Sequence, residues 1–248
     1  MKTTPSITRF GDEAIRLTWS TKIDISTHQL MMAWIEILNE QYNTYLLDFT
    51  LSYNELLLYI RDPQQIHSFL EELEQLCSTS MKPKNRPGET VYIPVCYDQE
   101  VAADLKTFCQ DKSIAVNDLV RLHTKVRYPV HFIGFLPGFP YLGGLDKQLF
   151  KARKSKPRSS VPEGSVGIAG HQTGVYPTAS PGGWNIIGRT PMKFFDPESH
   201  PPSLLKPGDD IQFYSISVKT FYTLKNEIAK QSITSLRDQH LIYFKRYD

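Results

Sequence analysis

Residues 132–146 read Phe132-Ile133-Gly134-Phe135-Leu136-Pro137-Gly138-Phe139-Pro140-Tyr141-Leu142-Gly143-Gly144-Leu145-Asp146. An apolar run enters a turn, and glycine, proline and aromatic residues then interleave. The texture persists: of 14 glycines and 17 prolines in the chain, 11 and 8 fall within residues 129–191. Such density alone would be compatible with disorder. Here Phe132, Phe135, Phe139, Tyr141, Phe150, Tyr176 and Trp184 run through it, which favours ordered, turn-rich structure. Glycine supplies positive φ and close backbone approach, and proline fixes turns. Short apolar runs at Val130–Phe135, Ser165–Ala169, Asn185–Gly188, Met192–Phe195 and Asp210–Ile216 alternate with these turns. The pattern predicts a closed or sandwiched β-structure.

Working outward, Thr90–Tyr97 reads as a strand opening this region, followed by a helix near Val101–Cys109 and a short one near Leu119–His123. The segment Ser78–Glu89 is polar and broken by Pro83 and Pro87, as a linker would be. Ahead of it, Ile7–Phe10 and Ala14–Trp19 read as strands around a Gly11-Asp12 turn. Ser26 with Gln29 has the form of a capping box, and Leu30, Trp34, Ile37 and Leu38 recur at helical spacing. Tyr45–Phe49 and Leu56–Ile60 read as two more strands. Asp62-Pro63 with Gln65 starts a second helix, whose stripe is Ile66, Phe69, Leu70, Leu73 and Cys77. Strand, strand, helix, strand, strand, helix packs most economically as an antiparallel sheet with helices on one face. The expected division is residues 1–80, a linker at 81–89, and residues 90–248 with a charged, partly helical C-terminal extension from 219.

Composition limits the function. The 248 residues are 40% hydrophobic and 22% charged, enough for a real core. Lys plus Arg is 28 and Asp plus Glu is 26, a net charge of +2, which argues against nucleic acid as a partner held by bulk charge. No apolar run approaches the ~18 residues that span a bilayer, so no membrane role is expected. Met1–Gly11 has no apolar signal region. Cys77, Cys96 and Cys109 are odd in number and not spaced as a redox or zinc pair, which fits reduced thiols in a cytoplasmic protein. No phosphate-binding loop, dinucleotide fingerprint or nucleophile elbow occurs. The seven histidines show no metal-ligand spacing, so no metal is expected.

Three constellations remain. In the first, Phe135, Phe139 and Tyr141 either face a ligand pocket or fill a second small core. The second runs from Pro157 to Pro177, with Gly164, Gly167 and Gly170 every third residue. Its glycine amides, Gln172, Thr173 and Tyr176 offer hydrogen bonds, and Arg158 a planar cation for a carboxylate; the competing reading is barrel turns with Arg158 in a structural ion pair. The third is Ser180-Pro181-Gly182-Gly183-Trp184-Asn185-Ile186-Ile187-Gly188-Arg189-Thr190-Pro191. There Arg189 could join Arg158 in holding an anion, while Trp184 could equally be core packing. Lys151, Arg153, Lys154 and Lys156 read best as a solvated face. His123, His131 and Asp146 stay open as reactive groups.

Taken together, the strings GF-x-PGFPYL-x-GL, PR-x-x-VP-x-GSVGIAG-x-QTG-x-YP and SPGGW-x-x-IGRTP resemble the KipI / allophanate hydrolase subunit 1 family. Pro94-Val95-x-Tyr97 and Leu122-His123-Thr124 fit it more loosely. The resemblance implies an α+β architecture: a small α/β sandwich N-terminal domain plus a cyclophilin-like β-barrel C-terminal domain. It implies a pocket at the barrel made by the three constellations, with Gly183 and His123 added to the residues above. It also implies a role as the B-type component of an ATP-dependent 5-oxoprolinase that converts 5-oxo-L-proline to L-glutamate. The partners would be a KipA-type subunit (PxpC) and a LamB/YcsF-type subunit (PxpA), with ATP held by a partner or at a shared site. On that reading Arg158 or Arg189 pairs with the substrate carboxylate, Gln172, Tyr176 or glycine amides bond the lactam, and Phe135, Phe139 and Trp184 exclude water and cover the ring. The family also implies two alternatives, an inhibitor of a sensor histidine kinase and a carboxyltransferase-like subunit of urea or allophanate metabolism.

Overall fold

The computed structural model describes residues 4–19, 25–78 and 88–242, with side chains to residue 238. The chain forms two compact units, Met1–Pro87 and Gly88–Asp248. The linker expected at 81–89 falls, apart from Gly88 and Glu89, outside the described residues.

In the first unit, β1 (Ser6–Phe10) and β2 (Ala14–Thr18) form a hairpin whose turn uses Gly11 at φ 66°. Helix α1 (Ile25–Gln41), strands β3 (Leu46–Leu51) and β4 (Glu55–Ile60), and helix α2 (Ile66–Ser78) follow. The sheet order is β1-β2-β4-β3, antiparallel throughout. Strand alternation turns Ile15, Leu17, Leu56, Leu58 and Ile60 inward. Trp34, Leu38, Phe69 and Leu73 on the helices are buried with them. Ser26 lies within α1 as described, and the residues that precede Ile25, from 20 to 24, fall outside the described residues. Asp62 does cap: its carboxylate accepts the Gln64 N–H at the head of a short 3₁₀ turn, Pro63–Gln65, that leads into α2.

The second unit is a closed seven-stranded barrel. Its strands are β5 (Thr90–Cys96), β6 (Arg127–Ile133), β7 (Pro140–Leu142), β9 (Ser165–Ala169), β10 (Gln172–Val175), β12 (Asn185–Arg189) and β13 (Asp210–Ile216). Around the barrel the order is β10-β7-β6-β13-β5-β12-β9. Among the described strands only β5 and β13 run parallel, paired from Thr90↔Asp210 to Cys96↔Ile216. Val91, Ile93, Val95, Val166, Ile168 and Ile211 are all 0% exposed and fill the interior. A two-stranded ribbon, β8 (Arg158–Val161) with β11 (Ser180–Gly182), stands apart from it. Helices α3 (Leu105–Lys112) and α4 (Val116–Thr124) pack against the barrel. So do α5 (Val218–Ile228) and α6 (Ile233–Ile242). The C-terminal extension has a structural role: Arg237 on α6 makes two hydrogen bonds, 2.9 and 3.0 Å, to the fully buried carboxylate of Asp209. The fold is therefore α+β, a helix-covered sheet and a closed barrel.

Three local expectations shift. The helix expected from Val101 begins at Leu105, since the Asp104 N–H donates to Ile186 O (3.0 Å) rather than to a carbonyl four residues back. Met192–Phe195 is not a strand; Met192 and Phe194 are buried, but only Phe195 bridges, to Ser203. The strand expected to reach Phe135 stops at Ile133, because Phe135 itself takes φ 68°. No described helix is long and apolar enough to cross a membrane.

Candidate functional site

The decisive local feature is the wall made by β9 and β10. Successive residues of a strand point to opposite faces. Val166, Ile168, Thr173 and Val175 turn into the barrel, whereas Gly167, Ala169 and Gly174 face out. With almost no side chains on the outer face, aromatic rings lie directly on the wall. A Cβ on Gly174 would sit 3.1 Å from both the Phe139 and Trp184 rings. Phe139, Val161, Ala169, Tyr176, Trp184 and Ile186 form this second small core. Phe139 is its hub, edge-on to Phe135 (5.5 Å), Tyr176 (5.4 Å) and Trp184 (5.3 Å).

Over this core opens a cavity of about 270 Å³. The first constellation contributes Phe135, Phe139 and Tyr141, the second Tyr176, and the third Pro181, Gly182, Gly183 and Trp184. The three stretches thus converge on one space. Phe135 is the lip, 61% exposed and held at positive φ, a conformation bulky side chains rarely adopt. Burial raises the pKa of both Tyr141 and Tyr176, so their hydroxyls stay protonated at neutral pH.

The cationic edge differs from the expected one. Arg153 and Lys154 line the cavity, although their run reads as a solvated face in the sequence. Their loop is pinned across the glycine turns. Lys154 N–H donates to Gly183 O (2.7 Å), and Asn185 Nδ2 donates to Ala152 O (2.9 Å). Beneath it lies Asp104, 3% exposed and absent from the sequence expectations. Its Oδ1 accepts from Lys154 Nζ (2.8 Å) and from Arg158 Nη2, and its Oδ2 accepts the Ile186 N–H (2.8 Å). Burial alone would raise the Asp104 pKa, but the bonds from Arg158, Lys154 and Ile186 outweigh it and hold the group below the usual carboxylate range. Arg158 is therefore in the structural ion pair, not at the cavity wall. Arg153 is exposed, and its charge reaches the Tyr141 and Tyr176 hydroxyls.

Arg189 is elsewhere. It ends β12 while Trp184 precedes it, roughly 16 Å away at ~3.3 Å per residue, and it lines a different cavity. Gln172 sits at the opposite end of β10 from Tyr176 and does not line the space. His123 and Thr173 are inside the barrel, at 0% exposure. Thr173 Oγ1 donates to Gly167 O (3.1 Å), so it accepts from His123 Nε2 (2.9 Å), leaving Nδ1 to accept from Tyr97 OH (2.7 Å). Burial lowers the His123 pKa to about 3. The histidine is a neutral core residue, and the wall separates it from the cavity.

A family profile for the carboxyltransferase domain, subdomain C and D, matches residues 5–205. The chain belongs to this family. This carboxyltransferase-domain chain is 35% identical over 232 residues to the B-type component of 5-oxoprolinase from Bacillus subtilis (strain 168), covering 89% of this chain and 97% of that protein. It is 42% identical over 165 residues to the corresponding 5-oxoprolinase component of Escherichia coli O157:H7, covering 64% and 73%. Among solved structures, TTHA0988 aligns with a TM-score of 0.72 and 32% identity, over 82% of this chain and 40% of that one. Residues 5–205 take in the whole aromatic cavity and stop short of α5 and α6.

Proposed function

We propose that this carboxyltransferase-domain chain is the B-type component of an ATP-dependent 5-oxoprolinase complex that opens 5-oxo-L-proline to L-glutamate. The carrying observation is the convergence of the three sequence stretches on one aromatic cavity edged by Arg153 and Lys154. Relatives named as this component of 5-oxoprolinase, at 35% and 42% identity, support the same reading. A space of about 270 Å³ is just under the roughly 300 Å³ at which drug-sized sites begin, so it suits a small metabolite better than a nucleotide.

5-Oxoproline carries one carboxylate and one lactam on a compact ring. Arg153 supplies a planar donor edge for the carboxylate. Phe139, Trp184 and Phe135 receive the ring and exclude water. The protonated hydroxyls of Tyr141 and Tyr176 are donors for the lactam oxygen, where negative charge accumulates as the amide resonance is broken. ATP, which the reaction consumes, would be handled in the assembled complex, with a KipA-type subunit (PxpC) and a LamB/YcsF-type subunit (PxpA) as partners, in the cytoplasm. The test is 5-oxoproline-dependent ATP hydrolysis by the three subunits, with and without this chain. Turnover that needs the chain supports the assignment; equal turnover without it refutes the assignment.

A further inference from the structure

A second cavity, of about 240 Å³, opens between the chain leaving β12 and helix α5. Its apolar floor includes Phe221 and Ile228, 1% and 4% exposed, and its rim carries Glu163, Arg189, Lys193 and Lys225. Arg189 is held in place from two sides. Its Nε donates to the Glu163 backbone oxygen at 2.8 Å, and its guanidinium carbon stands 5.8 Å over the Phe221 ring. Those contacts leave the edge carrying Nη1 and Nη2 directed away from the bonded Nε. Among the described residues, neither Arg189 nor Lys225 forms an ion pair. Lys193 is already neutralised by Asp196 at 2.7 Å.

We propose that this cavity is a carboxylate-binding site, distinct from the aromatic cavity. The end of a guanidinium presents two parallel N–H groups, which match the two oxygens of a planar carboxylate. The charge balance favours a monoanion: with Lys193 paired, Arg189 and Lys225 face one rim carboxylate, Glu163, and one positive charge is left over. The floor of Phe221 and Ile228 suits a short apolar stem behind the acid group. Orientation is set in advance, since the bond to Glu163 and the Phe221 ring fix the guanidinium before any ligand arrives. The acid comes either from a small free molecule or from a Glu or Asp side chain of a partner protein. The proposal does not depend on what the aromatic cavity binds.

The experiment is an amide NMR titration of the full chain at low ionic strength with butyrate, N-acetylglutamate α-amide and, as neutral control, butyramide. Saturable shifts confined to residues 189–193 and 221–229 with the two acids, absent with butyramide, support the site. Tighter binding of butyrate points to a free acid, and tighter binding of the glutamate derivative to a side chain. Arg189→Ala should weaken binding at least tenfold and Lys225→Ala several-fold. Lys225 is exposed on α5, so its variant serves even where Arg189→Ala does not fold. No saturable shift with either acid, the same shifts with butyramide, or unchanged affinity in Lys225→Ala would overturn the proposal. The Trp184 indole signal reports the aromatic cavity separately, so failure there is distinguishable from failure here.

Discussion

Inside the barrel, His123 Nε2 donates to Thr173 Oγ1 across 2.9 Å, and the Thr173 hydroxyl in turn donates a hydrogen bond to Gly167 O. This places a neutral imidazole between Tyr97 and the β9–β10 wall, stacked at 4.7 Å on Phe213.

The first consequence is a dependence of stability on pH. Burial lowers the folded-state pKa of His123 to about 3, against about 6.5 for a free imidazole. The unfolded chain takes up the proton first as pH falls. The stability from this group is therefore complete above about pH 6.5 and lost progressively toward pH 3, at up to about 1.4 kcal/mol per pH unit. Urea denaturation between pH 7.5 and 5 should show that loss, and His123→Asn should flatten it. A wild-type profile that is flat over this range would contradict a neutral buried histidine.

Thr173→Val keeps the volume and removes the acceptor for His123 Nε2. A buried donor left without a partner costs about 1–3 kcal/mol. Thr173→Ser should recover most of it, because the hydroxyl is what matters. Equilibrium unfolding of the two variants measures the difference.

Asp104→Asn should be more damaging than any surface charge change. It removes the counter-charge of Lys154 and Arg158, whose side chains are 33% and 27% exposed and so partly resolvated, which keeps the loss below the about 3–5 kcal/mol of a fully buried pair. Because the Asp104 pKa is held down in the folded state, its stabilisation is complete above the unfolded carboxylate pKa and lost as pH falls through the folded one. Acid unfolding monitored by near-UV circular dichroism should begin at higher pH in a variant lacking Arg158 than in the wild type.

Gly182→Ala tests the aromatic cavity. A Cβ there would stand 2.3 Å from the Tyr176 hydroxyl, whose ring is 1% exposed and cannot swing away. Overpacking of this kind costs about 1–3 kcal/mol. The expected outcome is a lowered melting temperature with altered Trp184 fluorescence. An unchanged spectrum would mean that Tyr176 moves freely.

Arg153→Ala should leave stability within about 0.5 kcal/mol, as an exposed substitution does. It should weaken 5-oxoproline binding to the assembled complex by about tenfold to a hundredfold, the contribution of one charge-assisted pair. Calorimetric titration of complex with and without the substitution checks this; equal affinity would remove Arg153 from the site.

Much of the scaffold is legible in the residue pattern. Alternation along Thr90–Cys96 and Asp210–Ile216 gives the inward set Val91, Ile93, Ile211 and Phe213 directly. Pro140–Leu142 and Ser180–Gly182 are not legible as strands, being three residues long and holding Pro or Gly. Asp104 escapes notice because, within a helix expected over Val101–Cys109, a lone aspartate reads as an ordinary solvent-facing charge.

What the sequence determined by itself is the supply of surfaces: strand alternation, and small residues at 167, 169 and 174 that leave the outer wall bare for Phe139, Tyr176 and Trp184. Which cation meets the cavity was decided only by the tertiary structure. Arg153, Arg158 and Arg189 are chemically equivalent in the chain. They are sorted by where Asp104 lies and by the length of β12, and both depend on contacts between residues far apart in sequence, such as Asp104 with Arg158 and with Ile186.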